Sequence, residues 1–279
     1  MNKDLITESV LNSFCKHLIK SEKSNATIDK YLRDVRAFGV YAGRRPLSKE
    51  LIIAYKYHLR DSHYAASSIN SMLASVNCFL DYAGFPQYRV KGIRTQRRAY
   101  CSYSQELTKA EYVRLLTAAS HDRQLRLVME TICSTGIRVS ELQYFTVQGV
   151  SSGEITVNCK NKIRTILVPG KLRKILLRYA REQEIISGPI FITRCGNPLD
   201  RSNIWSRMKK LCSIASVDPG KVFPHNLRKL FARTFYSLEK DIAKLADILG
   251  HSNINTTRIY IITTVTEHRK KIERLGLVI

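Results

Sequence analysis

The sequence predicts a mainly α-helical protein with two domains, the second of which is α+β because it holds a small antiparallel sheet. Three observations support this fold class. Apolar residues recur at the period of amphipathic helices over most of the 279 residues. Two short β-branched runs flank one polar turn. A segment with several arginines and no acidic residue divides the helical patterns into two groups.

The first group of helical patterns covers residues 1–84 and predicts an N-terminal domain of four helices. Each pattern has a single apolar stripe, as a small helical bundle requires. The stripes are formed by Val10, Phe14 and Leu18, by Ile28, Leu32, Val35 and Phe38, by Leu51, Tyr55 and Leu59, and by Ile69, Met72, Leu73, Val76 and Leu80. We assign these residues to the core and not to a functional site.

Residues 85–106 break the helical period and predict an extended basic linker. The region contains Gly and Pro, and no acid occurs in it before Glu106. Its cations are Arg89, Lys91, Arg94, Arg97 and Arg98. This composition suits a segment that crosses a nucleic-acid duplex, because each cation near a phosphate adds salt-sensitive affinity.

Residues 107–279 form the predicted second domain. Thr108 and Glu111 fit a capping box, and the helical pattern after Asp122 ends near Gly136. The runs EITVN and RTILVP flank CKNKI, which predicts a β-hairpin. An amphipathic helix with Leu172, Ile175, Leu176 and Tyr179 follows. Further helices are expected at about 201–215, 225–238, 240–249 and 255–263, the last of them capped by Asn255.

The composition indicates a partner that is a polyanion. The chain carries 46 Lys and Arg against 23 Asp and Glu, a net charge of +23, and its sequence pI is near 9.9. No apolar run reaches the roughly 18 residues that a membrane-spanning helix needs, and MNKDLITESV is not typical of a signal peptide. The seven cysteines contain no CxxC pair, so we expect no zinc site, and we expect free thiols in a reducing cytoplasm.

Four separated stretches of the second domain place a cation or a nucleophile at a structural boundary. They read STGIRVSEL, NCKNKIRT, FPHNLRKLFA and LGHSNINTTRIYI. The residues of interest are Arg138, Lys160 or Lys162, His225, Arg228, His251 and Tyr260. Taken singly each has an ordinary structural interpretation, such as a surface salt bridge from Arg138 to Glu141 or a solvated turn at the hairpin tip.

Taken together these residue types fit the transfer of a phosphodiester to a protein hydroxyl. Arginines can donate paired hydrogen bonds to the non-bridging oxygens. A tyrosine hydroxyl becomes a nucleophile when a base and cations lie beside it. A lysine can give a proton to the departing oxygen. No carboxylate cluster that would hold magnesium is evident, so we expect neither a metal nor another cofactor.

The order and spacing of these stretches resemble the tyrosine recombinases, or phage integrase family, of the Xer-like and short integrase type. TGIRVSEL resembles the first arginine box of the family, HNLRKLFART its His-x-x-Arg box, and LADILGHSNINTTRIY its last box. The resemblance covers nearly the whole chain. It implies a helical core DNA-binding domain followed by a catalytic domain of the tyrosine recombinase and type IB topoisomerase kind.

The resemblance also implies a role for each matched residue. Tyr260 resembles the nucleophile, Arg138 and Arg228 the phosphate clamp, and His225 the assisting acid or base. His251 resembles the second phosphate-contacting position. Lys160 resembles the hairpin lysine that acts as general acid. Because this hairpin lacks the family's Gly-Lys-Gly pattern, Lys162 stays an alternative.

The implied activity is site-specific cleavage and rejoining of DNA through a 3′-phosphotyrosyl intermediate and a Holliday junction, without metal or ATP. The implied partners are double-stranded recombination sites and a homotetramer on DNA, with or without a related recombinase. The tail after Tyr260 is either a plain terminal helix or a segment that docks on a neighbouring copy. Two alternatives to a recombinase remain: a type IB-like topoisomerase, and a basic DNA-binding regulator without catalysis.

Overall fold

The structure is a computed structural model that describes residues 6–94, 106–159, 162–260 and 273–274, with the backbone alone at residues 159 and 162. The chain forms two compact units, residues 1–97 and 98–279. The described part is mainly helical and contains one two-stranded antiparallel sheet. The predicted fold class is therefore confirmed.

The first unit contains the four predicted helices. They are α1 (Glu8–Lys20), α2 (Asn25–Ala42), α3 (Lys49–Asp61) and α4 (Ala66–Ala83). Thr7 and Ser48 begin α1 and α3, because their hydroxyls accept hydrogen bonds from backbone N–H groups of the first turn. The predicted apolar stripes are buried except at Leu32 and Met72, which are half-buried.

Two asparagines of α4 hold the beginning of the predicted linker. Asn77 exchanges two hydrogen bonds with the backbone of Val90, at 3.0 and 3.1 Å. Asn70 does the same with Ile93, at 2.9 and 2.6 Å. A carboxamide carries a donor and an acceptor side by side, so it pairs with a backbone as a neighbouring strand would. Residues 95–105 lie outside the described residues, and the extent of the linker stays a prediction.

Gly92→Ala is expected to destabilise the chain by about 1 kcal/mol, the cost of disturbing one or two hydrogen bonds. An added Cβ would lie 2.7 Å from Oδ1 of Asn70. Gly170→Ala is the matched control, because its Cβ would meet nothing within 4 Å and alanine favours a helix. Urea unfolding measures both variants. A Gly92→Ala protein that is as stable as the wild type would show that Asn70 does not hold the beginning of the linker.

The second unit begins with the predicted capping box of Thr108 and Glu111. Its helices are α5 (Lys109–Ala118), α6 (Arg123–Thr135), α7 (Val147–Ser152), α8 (Gly170–Glu182), α9 (Arg201–Ala215), α10 (Pro224–Glu239), α11 (Ile242–Leu249) and α12 (Ile254–Arg258). A 3-10 helix, Val139–Tyr144, follows α6. The core lies between α5, α6, α8, α9 and one face of the sheet, with Leu115, Val128, Leu176, Ile204 and Ile155 buried in it.

The predicted hairpin is confirmed. Strands β1 (Glu154–Cys159) and β2 (Lys162–Leu167) pair antiparallel, with Glu154 opposite Leu167 and Cys159 opposite Lys162. Alternate residues face the core, as the two-residue period of a strand requires. The buried positions are Ile155, Val157 and Ile166. Lys160, near the tip, lies outside the described residues.

The prediction for the last helix is wrong in two details. Asn253, not Asn255, is the N-cap of α12, and its side chain accepts a hydrogen bond from the Asn255 backbone N–H at 2.9 Å. The helix ends at Arg258, so Tyr260 lies in the turn after it and not on the helix. Residues 261–272 are outside the described part. Among the described helices, none has the length and apolar character to cross a bilayer.

Candidate active site

Arg138 follows the glycine that ends α6. Gly136 has a φ of 66°, and a Cβ there would overlap the ring of Phe231. Both the backbone conformation and the lack of space therefore require glycine. Arg138 is the N-cap of the 3-10 helix and donates to Glu141 twice. Its backbone N–H reaches Oε2 at 2.7 Å, and its guanidinium reaches Oε1 at 3.1 Å. The side chain is still 40% exposed, which leaves it free to meet a ligand.

Arg228 is a buried cation that connects the ends of two helices. Its side chain is 1% exposed. Nη1 donates to the carbonyl of Gly136 at 2.6 Å, and Nη2 donates to the carbonyl of Leu249 at 2.7 Å. Both carbonyls lie at helix C-terminal ends, where the helix dipole favours a positive charge. Burial lowers the pKa of Arg228 to about 10, so the guanidinium stays charged at neutral pH.

Glu141 is the carboxylate that holds the arginines in place. It is 1% exposed, so its pair with Arg138 is not a surface salt bridge. Arg164 of β2 donates to its Oε2 at 2.6 Å, and Nη1 of Arg228 lies 3.9 Å from the same oxygen. One buried negative charge therefore faces three guanidinium groups, and the cluster keeps a net positive charge.

Glu141→Ala is expected to lower the free energy of unfolding by about 3–5 kcal/mol, because it leaves buried cations unpaired. Glu239→Ala is the matched control. It removes an ion pair with Lys244 in which both side chains are about half exposed, and such pairs contribute about 1 kcal/mol or less. Denaturant unfolding compares the two. A similar small loss for both variants would contradict the assignment of Glu141 as a buried charge partner.

His225 stands in the first turn of α10. Pro224 precedes it at the first helical position, which suits the fixed φ of proline. Arg228 follows three residues later, on the same side of the helix. The ring of His225 lies 5.3 Å from the ring of Tyr260, edge to face. Partial desolvation, followed by the charges of Lys229 and Arg228, lowers the pKa of His225, so the ring is neutral at pH 7.

His251 follows the glycine that ends α11. Gly250 has a φ of 65°, and a Cβ there would lie 2.6 Å from Cδ of Arg164. The glycine therefore both ends the helix and admits an arginine side chain. Nε2 of His251 lies 3.0 Å from Nη2 of Arg228. Burial, followed by the charges of neighbouring arginines, lowers the pKa of His251 to about 4.

Tyr260 lies beside both histidines. Its ring centroid is 5.3 Å from that of His225 and 5.4 Å from that of His251. The residue is 6% exposed and packs on a small apolar cluster that includes Leu245 and Leu249. Its ring is thus held by α10 and α11, although Tyr260 belongs to neither helix.

The structure brings together five of the six residues that the sequence predicts for the site. They are Arg138, His225, Arg228, His251 and Tyr260. A cavity of about 590 Å³ is lined by four of them, all but His251. A second cavity, of about 620 Å³, is lined by Arg138 and His251 together with Glu141 and Arg164. The sixth residue, Lys160, lies outside the described part of the chain.

Sequence reasoning missed two residues of this cluster, Arg164 and Thr257. It also took Glu141 for the partner in a surface salt bridge, whereas Glu141 is buried. Arg164 pairs with Glu141, and the Thr257 hydroxyl lies 2.8 Å from Nδ1 of His251. Arg164 had a usable signal, because it is two positions from the buried Ile166 and therefore on the inner face of β2. Thr257 had no signal beyond its place between a histidine and a tyrosine.

The cluster can bind an anion and can move a proton. Arg138 is positioned to meet an anionic oxygen, and a neutral His225 can accept a proton from a nearby hydroxyl. Within the residues described, no group of three His, Cys, Asp or Glu side chains is placed to hold a metal ion.

Comparison with protein families shows which family the chain belongs to. The family described as "Phage integrase family" matches residues 105–267, which is more than half of the chain. The description "Phage integrase, N-terminal SAM-like domain" matches residues 11–84. The chain therefore belongs to the phage integrase family. The prediction that it is a tyrosine site-specific recombinase is confirmed.

Individual proteins show the same likeness over almost the full length. The chain is 28% identical to tyrosine recombinase XerA of Thermococcus kodakarensis, over 96% of each protein. It is 27% identical to tyrosine recombinase XerD of Halalkalibacterium halodurans, over 91% of this chain and 93% of the relative.

Solved structures share the fold. A lambda integrase (75–356) dimer bound to a COC′ core site has a TM-score of 0.71 at 18% identity, with 91% of this chain and 95% of that chain covered. A XerA recombinase has a TM-score of 0.54 at 23% identity, with 96% and 98% covered.

Proposed function

We propose that this recombinase cleaves and rejoins double-stranded DNA through a 3′-phosphotyrosyl intermediate and a Holliday junction, without metal or ATP. The observation that carries the proposal is the position of Tyr260. Its ring lies beside both His225 and His251, packs on Leu249, whose carbonyl accepts from Arg228, and lines a cavity that Arg138 also lines. A tyrosine beside a neutral histidine and arginines has what an activated hydroxyl nucleophile needs.

Five of the six predicted residues each have one part in the proposed reaction. The Tyr260 oxygen attacks the scissile phosphorus while its proton passes to His225, whose lowered pKa leaves the ring neutral and able to accept it. Arg138 and Arg228 stabilise the negative charge that develops on the non-bridging oxygens. The bond from phosphorus to the 5′ oxygen breaks, and Lys160 gives that oxygen a proton. The reverse sequence, with a 5′-hydroxyl from a partner strand, rejoins the DNA.

Rejoining needs no external energy, because the phosphotyrosyl bond is a phosphodiester like the bond that was cut. One bond of that type is exchanged for another in each step. In the proposed reaction, side chains alone stabilise charge and transfer protons, so no step requires ATP or a metal ion.

We propose that duplex recombination sites are the partner and that a homotetramer assembles on them, alone or with a related recombinase. The net charge of +23 supports a DNA partner. A lambda integrase tetramer bound to a Holliday junction shares the fold, with a TM-score of 0.71. We place the protein in the cytoplasm, in association with DNA.

The test begins with DNA recovered from cells as a covalent complex with the protein. A duplex of the recovered sequence, nicked beside the cleavage point, traps the intermediate because the short 5′-hydroxyl strand diffuses away. We expect a covalent adduct and, with two intact sites, recombinant products. Adduct without recombinants, together with relaxation of supercoils, would indicate a type IB-like topoisomerase. Absence of any adduct would indicate a DNA-binding regulator.

A further inference from the structure

Thr257 contacts the candidate active site from a fully buried position. Its exposed fraction is 0%, and its hydroxyl oxygen lies 2.8 Å from Nδ1 of His251. Its backbone carbonyl also accepts a hydrogen bond from the N–H of Tyr260, at 2.9 Å. One residue therefore touches both the ring of His251 and the backbone that carries the proposed nucleophile.

The contacts of His251 define which ring nitrogen carries the proton. Its Nε2 lies 3.0 Å from Nη2 of Arg228. A guanidinium has donors and no acceptor, so Nε2 must accept with its lone pair. In a neutral ring the proton is then on Nδ1, and Nδ1–H donates to the Thr257 hydroxyl.

We propose that Thr257 is a positioning residue that holds His251 with Nδ1–H on its hydroxyl and Nε2 directed at Arg228. The proposal rests on the proposed function for its consequence in DNA cleavage, but the arrangement of the ring is a property of the protein alone.

The surroundings of His251 favour the neutral ring. The charged and titratable groups that face it are Arg228 and His225 from α10, Arg138 beside the 3-10 helix, Arg164 from β2, and Tyr260. Burial and the positive charges lower the pKa of His251 to about 4, so the ring is neutral in any assay near pH 7.

The arrangement has a consequence for phosphate binding. While the ring is neutral, Nε2 restrains Arg228 and offers no N–H to a phosphate oxygen. If Nε2 gains a proton, it turns from acceptor to donor and its contact with Arg228 is lost. Nδ1–H donates to Thr257 in both states, so the ring changes its role without rotating. Without the Thr257 hydroxyl, the Nδ1–H of the partly buried ring loses its acceptor, and that orientation is no longer favoured.

The ring state is measured directly on full-length protein with ¹⁵N-labelled histidine. Signals of His251 are assigned by their loss in His251→Ala. We expect the wild type to show a protonated Nδ1 and an unprotonated Nε2 at pH 7, and Thr257→Val to lose this single state. Thr257→Ser retains the hydroxyl and is expected to keep it. A wild-type signal with the proton on Nε2 would overturn the proposal, whatever the activity of the protein.

Cleavage of the nicked duplex is the second readout. We expect Thr257→Val to slow adduct formation about tenfold, the effect of one lost hydrogen bond, with DNA affinity unchanged. Thr257→Ser should restore the rate. Thr256→Val is the matched control, because Thr256 is the neighbouring threonine and is exposed. A Thr257→Val protein that keeps both the single ring state and the full rate would refute the role. Absence of adduct from the wild type would instead refute the proposed function.

Discussion

Tyr260→Phe is expected to abolish the covalent protein–DNA adduct. Removing the nucleophile from an enzyme that forms a covalent intermediate lowers turnover by about 10⁶-fold. The substitution deletes one oxygen and keeps the ring, which packs beside His225 and His251 and on the cluster around Leu249. Folding and DNA affinity should therefore remain as in the wild type. Denaturing gels of the protein with nicked duplex measure the adduct.

Tyr236→Phe is the matched control for this result. Tyr236 packs against the same apolar cluster as Tyr260, and the substitution removes the same atom. We expect its adduct yield to equal that of the wild type. Adduct that persists in Tyr260→Phe would show that another residue attacks the phosphate.

Lys160→Ala is expected to slow cleavage by about 10²–10⁴-fold, which is the usual contribution of a general acid. Lys162→Ala should act mainly on DNA binding. The prediction rests on the sequence, since Lys160 lies outside the described residues and only the backbone of Lys162 is described, opposite Cys159. The rate of cleavage in a single turnover, measured on each variant, distinguishes the role of Lys160 from that of Lys162.

A substrate with sulfur in place of the bridging 5′ oxygen tests proton transfer directly. A thiolate leaves without a proton, so this substrate should restore cleavage to Lys160→Ala. It should do nothing for Arg138→Ala, whose defect is in charge stabilisation and not in the leaving group. Rescue of Lys162→Ala instead would move the general acid by two residues. Rescue of neither lysine variant would remove the hairpin from proton transfer.

Much of the fold was predictable because its signals are local. The apolar stripes of α1 to α4 lie within single helices, and the capping box of Thr108 and Glu111 spans one turn. Gly136 and Gly250 end their helices through a left-handed φ that glycine adopts at little cost. The cap of α12 was mispredicted because Asn253 and Asn255 have the same capping chemistry two positions apart, and a short window does not separate them.

The members of the candidate site were also predictable, but their arrangement was not. Arg138, Arg228 and Tyr260 are recognisable from short motifs whose order resembles the phage integrase family. Nothing in those motifs indicates that Arg228 is fully buried, or that two of its donors bind the carbonyls of helix ends. Those contacts join residues 92 and 21 positions apart.

By itself the sequence determined most of the helices, the hairpin and the residue types available for chemistry, because each depends on neighbours within a few positions. The order of its short motifs along the chain determined the family. Only the tertiary structure decided that Glu141 is the buried partner of Arg138 and Arg164, and that Thr257 bonds to His251. The physical reason is that burial and charge pairing depend on which distant segments meet. A carboxylate three residues from an arginine looks the same in the sequence whether it faces water or, as Glu141 does, the interior.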